Sequence, residues 1–162
     1  MIINALLFNA LWLGLVVIGN AFIPLAIIGL CFHLCIVNNT LHEAKVMAAV
    51  AGIGLLADVL LTFAGVFEFT ATPYWLLFLW LAFASTINHS LKWVARLPYA
   101  AHISGLLFAP LSYLAAERLG AVSFGLSTLS TYLLLGVVWL LLLNVFVLIS
   151  TARRFNYAKS LQ

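Results

Sequence analysis

Six long apolar runs, at about 3–18, 21–37, 46–66, 74–94, 99–116 and 131–149, fill most of this 162-residue chain, and its polar residues gather between them. About 20 apolar residues in a helix cross a bilayer core, where only backbone that bonds to itself is tolerated. The pattern predicts an all-α polytopic membrane protein, a bundle of six transmembrane helices forming one domain over 1–162. Gly19 and Asn20 end the first run, and Pro24 falls in the first turn of the second, where a missing N–H costs least. A polar connection, Asn38 to Lys45, separates the second and third runs; Glu68 and Pro73 mark the next loop. Tyr74, Trp75, Lys92 and Trp93 at the ends of the fourth run suit the headgroup level. Leu97-Pro98 breaks the chain before the fifth run, and a Gly- and Ser-rich loop over 117–130 precedes the sixth. The first run carries no basic residue ahead of it, which reads as a retained helix rather than a secretory signal.

Composition sharpens this picture. With 66% hydrophobic and 7% charged residues, the chain leaves no material for a separate soluble domain. Its net charge of +3 comes from residues at run ends, with no basic groove, so nucleic acid is not an expected partner. Lys45, Lys92, Arg96, Arg153, Arg154 and Lys159 fall on one side of a six-span topology, and only Arg118 falls on the other. The positive-inside rule then places both termini in the cytoplasm. Cys31 and Cys35 lie four apart on one helix, about 5–6 Å at Cβ, too far for a relaxed disulfide. They are expected to be small, buried and reduced.

Polar residues inside the apolar runs carry the functional information. Asp58 lies near the middle of the third run, where an ionised carboxylate costs about 2.5–3.5 kcal/mol. Ala51, Gly54, Thr62 and Gly65 share its helical face as a small-residue stripe that would admit a neighbouring helix. Two readings fit: a protonated, hydrogen-bonded packing residue, or a proton carrier, ligand or catalytic acid. In the fourth run, Ser85, Asn88 or His89, Lys92 and Arg96 share one face at helical spacing, a polar stripe running to the cytoplasmic surface. Lys92 and Arg96 suit snorkelling, whereas Asn88 and His89 sit deeper. His33 lies about a turn inside the second run, and His102 opens a face of the fifth with Gly105, Ala109, Ser112 and Ala116. Pro110 should kink that run and free a carbonyl near Ser112 and Tyr113.

The expected polar pocket thus comprises His33, Asp58, Ser85, Asn88, His89, His102, Ser112 and Tyr113, open toward the cytoplasm. Similar depths in neighbouring helices predict that Asp58, Asn88 and His89 form one site. No His pair at ligand spacing falls on a single helix, so no metal site is expected. The chain lacks a phosphate-binding Gly loop, a nucleophile elbow and a row of arginines, and it points to no particular cofactor.

The segments Gly54-Leu-Leu-Ala-Asp58, Asn88-His-Ser-Leu-Lys-Trp93 and Ala109-Pro-Leu-Ser-Tyr113 together resemble an uncharacterised family of small proteobacterial inner-membrane proteins, classed as a domain of unknown function. Its members are often encoded beside cyclopropane-fatty-acid-synthase-like methyltransferases. The resemblance implies a bacterial inner-membrane location, membrane lipids as partners and company with lipid-modifying enzymes; it carries over no catalytic residue. Three functions stay open: a binding or accessory protein for lipid modification, a small transporter or lipid flippase using Asp58, and an intramembrane lipid-modifying enzyme using His89 and Asp58.

Overall fold

The computed structural model describes the backbone of residues 1–97 and 99–159, and the side chains of those residues up to 151. The Pro98 break and the side chains of Arg153, Arg154 and Lys159 lie outside the described residues. The chain is mostly helical: α1 (Ile2–Ile18), α2 (Ile23–Ile36), α3 (Thr40–Phe63), α4 (Trp75–Ala84), α5 (Ala100–Ile103), α6 (Ala109–Arg118) and α7 (Thr128–Lys159). Among the described residues, three helical stretches are long and apolar enough to cross a membrane: Ile2–Ile36, Thr40–Phe63 and Thr128–Thr151. Length and composition therefore give three candidate spans rather than the six expected.

The difference has local causes. Ile2–Ile36 is not straight. Along a straight helix Leu11 and Gly29 would be roughly 27 Å apart. Yet a Cβ added to Gly29 would stand 3.0 Å from the Leu11 side chain and 3.3 Å from that of Leu7. The chain reverses at a 3₁₀ turn, Gly19–Phe22, where Gly19 takes φ +68, a conformation open to glycine at little cost. Asn20 fixes the turn to the next layer: its side chain donates to the Thr72 carbonyl at 3.1 Å and accepts from the Trp75 amide at 3.0 Å. That amide belongs to the first turn of α4, whose donors otherwise lack partners.

The fourth run leaves the α-helix at Ser85. Residues 85–91 form successive turns, followed by a 3₁₀ turn at Lys92–Ala95. The Ser85 hydroxyl donates to the Ala82 carbonyl (2.7 Å) and the Thr86 hydroxyl to that of Phe83 (2.6 Å). Short hydroxyl side chains thus compete with the backbone ladder. The predicted polar stripe at helical spacing is overturned by this departure. Lys92 is half-buried and Arg96 exposed.

The kink expected at Pro110 appears as a π-helical turn, Ser104–Phe108, which lets the Ala109 amide reach the Ser104 carbonyl. Proline cannot donate to residue 106, and widening the preceding turn accommodates its ring. The Leu107 carbonyl, one residue on, accepts from the Tyr132 hydroxyl at 3.2 Å. The loop at 117–130 contains an unpredicted element: β2 (Ser123–Phe124) pairs antiparallel with β1 (Phe67–Glu68), Phe67 opposite Phe124. The third helix also ends at Phe63, short of the predicted 66, so Gly65 falls outside the small-residue stripe.

Large apolar side chains cover the outside, Phe63 at 87% exposure, Leu6 at 66% and Leu148 at 66% among them. Asn4, His33, Glu43, Asp58, Ser85, Thr86, Thr131 and Ser150 are buried. An apolar exterior around internal polar groups is the distribution that lipid imposes. Cys31 and Cys35 are free but exposed on α2, not buried as expected, because they lie on that outer apolar face.

Candidate functional site

Apart from Thr86, which bonds back to Phe83, and Thr131, the buried polar residues form two clusters. The first is at the α2–α3 end of the bundle. Asn39 caps α3, its side-chain oxygen accepting from the His42 amide at 2.9 Å, and this fixes Glu43 in the first helical turn. Glu43 Oε1 lies 3.2 Å from Nε2 of His33, on the last turn of α2, and 3.2 Å from Nε2 of His89. The two imidazole rings meet edge to face, centroids 5.0 Å apart. Asn88 donates to Glu43 Oε2 at 3.1 Å and accepts from the Ser150 hydroxyl of α7 at 2.8 Å.

Asn4 of α1 completes this cluster. Its Oδ1 accepts from the Ser90 amide (3.2 Å) and hydroxyl (2.7 Å), while its Nδ2 donates to the Ser85 carbonyl (3.1 Å) and faces His33 Nδ1 at 3.5 Å. The non-helical stretch 85–91 needs such partners, since buried backbone groups are costly when unpaired. The turns that break the helix are also what aim Asn88 and His89 at Glu43.

The second cluster lies deeper along α3. Asp58, 2% exposed, accepts from Trp80 Nε1 at Oδ2 (2.8 Å) and from the Tyr113 hydroxyl at Oδ1 (3.0 Å). Gly54, one turn before Asp58, makes the contact with Trp80 feasible: an added Cβ would overlap the indole ring. This part of the predicted small-residue stripe does admit a neighbouring helix. Trp80 stacks on Trp139 at 5.2 Å, and Tyr113 stacks on Phe67 at 5.3 Å. Since Phe67 belongs to β1, the small ladder closes one end of this site.

Asp58 and its partners form one wall of a cavity of about 560 Å³. The volume is in the range of small-molecule sites. All five tryptophans of the chain, Trp12, Trp75, Trp80, Trp93 and Trp139, line it. Its polar lining among titratable, amide and hydroxyl residues is confined to Asn9, Asp58, Ser104, Ser112 and Tyr113. Lining residues come from both the start of α4, at Trp75, and the segment beyond its end, at Leu91, Trp93 and Val94, so the cavity extends along the bundle.

The structure thus brings His33, Ser85, Asn88 and His89 into the first cluster, and Asp58, Ser112 and Tyr113 into the second. Among the described residues Asp58 and His89 share no hydrogen-bond partner, so the single site expected from their depths resolves into two. His102 joins neither cluster; it is exposed, its ring beside Tyr99. Ser112 donates to the Ala109 carbonyl at 2.7 Å while lining the cavity. Sequence reasoning missed Asn4, Glu43, Trp80, Ser90 and Ser150. Asn4 carried a usable signal, an amide inside an apolar run, and Glu43 is one of only four acidic residues.

Residues 1–145 match the model of a family described as a protein of unknown function (DUF2878), and the chain belongs to that family. No curated protein and no solved structure matches it.

Proposed function

We propose that this member of the DUF2878 family is a multi-pass membrane protein that binds a lipid acyl chain in its internal cavity, as a binding or accessory protein for membrane lipid modification. The observation that carries the reading is the cavity itself: elongated, about 560 Å³, walled by aromatic and aliphatic groups, with a single buried acid. Such a site excludes a compact polar solute and suits a long apolar chain whose polar end meets Asp58, Ser112 and Tyr113. The lipid-modifying company implied by the family resemblance points the same way.

The five tryptophans make the test direct. Titrating the detergent-purified protein with a fatty acid brominated along its chain should quench most of its tryptophan fluorescence saturably, and an unbrominated fatty acid should reverse it. Ala109→Phe, which places a ring in the cavity, should remove the saturable part. Quenching that is linear in ligand and equal in the variant would overturn the reading.

A second reading, a small transporter or flippase, is favoured by one feature: the buried acid faces the cavity, where intramembrane acids serve as coupling groups. Leaflet-resolved lipid labelling in reconstituted vesicles separates it from simple binding. The enzyme reading that paired His89 with Asp58 loses its basis, since each has a different set of partners.

The topology belongs to this proposal. The reversal at Gly19–Phe22 divides the first apolar stretch into two crossings, and α4 with its following turns and α5–α6 supply two more beside α3 and α7. Six crossings would place both termini in the cytoplasm of a bacterial inner membrane. Reporter fusions after Lys45 and Gln162 should then report cytoplasm and a fusion near Glu68 periplasm. A periplasmic C-terminal reporter paired with a cytoplasmic N-terminus would exclude an even number of crossings.

A further inference from the structure

We infer that His33, Glu43 and His89 bind a divalent first-row transition-metal ion of the zinc class. One ligand comes from each of α2, α3 and the turns after α4, which is why no spacing along a single helix announces the set. Their three ligand atoms lie within 4.8 Å of one another. With ligands about 2.0–2.2 Å from zinc, neighbouring ligand atoms of a tetrahedral site are about 3.3–3.6 Å apart. The two nitrogen–oxygen separations here, both 3.2 Å, are close to that edge. Two histidines and one carboxylate form a recurrent set for zinc, and for iron, that leaves a position open for water or substrate.

The surroundings distinguish a metal site from a hydrogen-bonded triad. In a triad without metal, Asn4 presents its amide N–H to His33 Nδ1, the proton resides on Nε2, and His33 donates to Glu43. That arrangement satisfies His33 and leaves His89 over. His89 Nε2 is buried and lacks hydrogen-bond geometry to any partner among the described residues, although Glu43 Oε1 is 3.2 Å away. A cation between the three atoms satisfies both imidazoles and the carboxylate together. Glu43 Oε2 is already held by Asn88, itself anchored by Ser150, the kind of outer contact that orients a ligating carboxylate. With Nε2 on the metal the His33 proton resides on Nδ1, and the long 3.5 Å contact with Asn4 gives way, since Ser85 and Ser90 fix the orientation of that amide.

The test uses the full chain in detergent, stripped with chelator and titrated with Zn²⁺ and Co²⁺. We expect one ion per chain by elemental analysis, a Co²⁺ ligand-field spectrum of mixed nitrogen and oxygen ligation, and a melting temperature that rises with Zn²⁺. Glu43→Gln and His89→Gln should abolish all three, Asn88→Ala should weaken affinity about 10–100-fold, and His102→Gln should leave it unchanged. If the ligand variants fail to fold, the wild-type stoichiometry and Co²⁺ spectrum decide alone. Zn²⁺ and Co²⁺ binding no tighter than in His89→Gln, or no ligand-field spectrum in the wild type, would establish the metal-free triad and overturn the inference.

Discussion

Asp58→Leu should destabilise the protein by about 3 kcal/mol or more, whereas Asp58→Asn should cost less than about 1 kcal/mol. Leucine removes the acceptor that Trp80 Nε1 and the Tyr113 hydroxyl share. Each buried donor left unpaired costs about 1–3 kcal/mol. Asparagine behaves differently because its side chain keeps an acceptor oxygen. The Asn oxygen, at the position of Oδ2, can accept from both Trp80 and Tyr113, as Oδ2 does at 2.8 and 3.3 Å. Reversible unfolding in mixed micelles measures both values. Asp58→Leu with wild-type stability would show that the two donors have other acceptors. Should Asp58→Asn fold normally yet lose acyl-chain binding, the acid acts on the ligand; should it bind normally, Asp58 is a packing residue.

Lipid makes some of this site readable from sequence. A polar residue in an apolar run has no inexpensive way to face the bilayer, so His33, Asp58, Asn88 and His89 identify themselves as inward-facing. Which of them meet is another matter. Depth gave Asp58 and His89 similar coordinates along the membrane, but the meeting of side chains also depends on rotation about each helix axis. That rotation is set by packing details, such as the space Gly54 leaves for Trp80. The polar stripe over 85–96 failed for a different reason. Spacing along a helix assigns a face only while the helix lasts, and Ser85 and Thr86 end it by bonding back to carbonyls three residues earlier. The apolar run starts only at 46, which leaves Glu43 in the connection 38–45; the Asn39 cap in fact begins α3 at Thr40 and draws the acid inside. The pairing of Phe67 with Phe124 joins loops far apart in the chain through two residues each, too short for any alternating pattern to show.

Glycine replacements should separate the contacts that set the bundle from positions with room to spare. Gly105→Ala is expected to be the most damaging of three such replacements, at Gly52, Gly54 and Gly105, costing several kcal/mol. An added Cβ would stand 2.7 Å from the Trp139 carbonyl oxygen and 2.8 Å from the Leu140 amide nitrogen. Both are backbone atoms of α7, so relief requires the whole helix to withdraw from the π turn, opening gaps in a close-packed interface. Gly54→Ala should be less severe, since the obstacle is a side chain, but the Trp80 ring would have to leave its hydrogen bond with Asp58. Loss of that bond is observable as a change in tryptophan emission and as weaker protection of the indole N–H from exchange. Gly52→Ala provides the control: its Cβ meets nothing within 4 Å, and alanine should gain up to about 1 kcal/mol from helix propensity. Thermal unfolding of the three variants at equal detergent concentration should rank them Gly52→Ala, Gly54→Ala, Gly105→Ala from most to least stable. A Gly105→Ala protein as stable as Gly52→Ala would mean that α7 does not approach the π turn as closely as this, and the stacked Trp80–Trp139 wall of the cavity would lose its support.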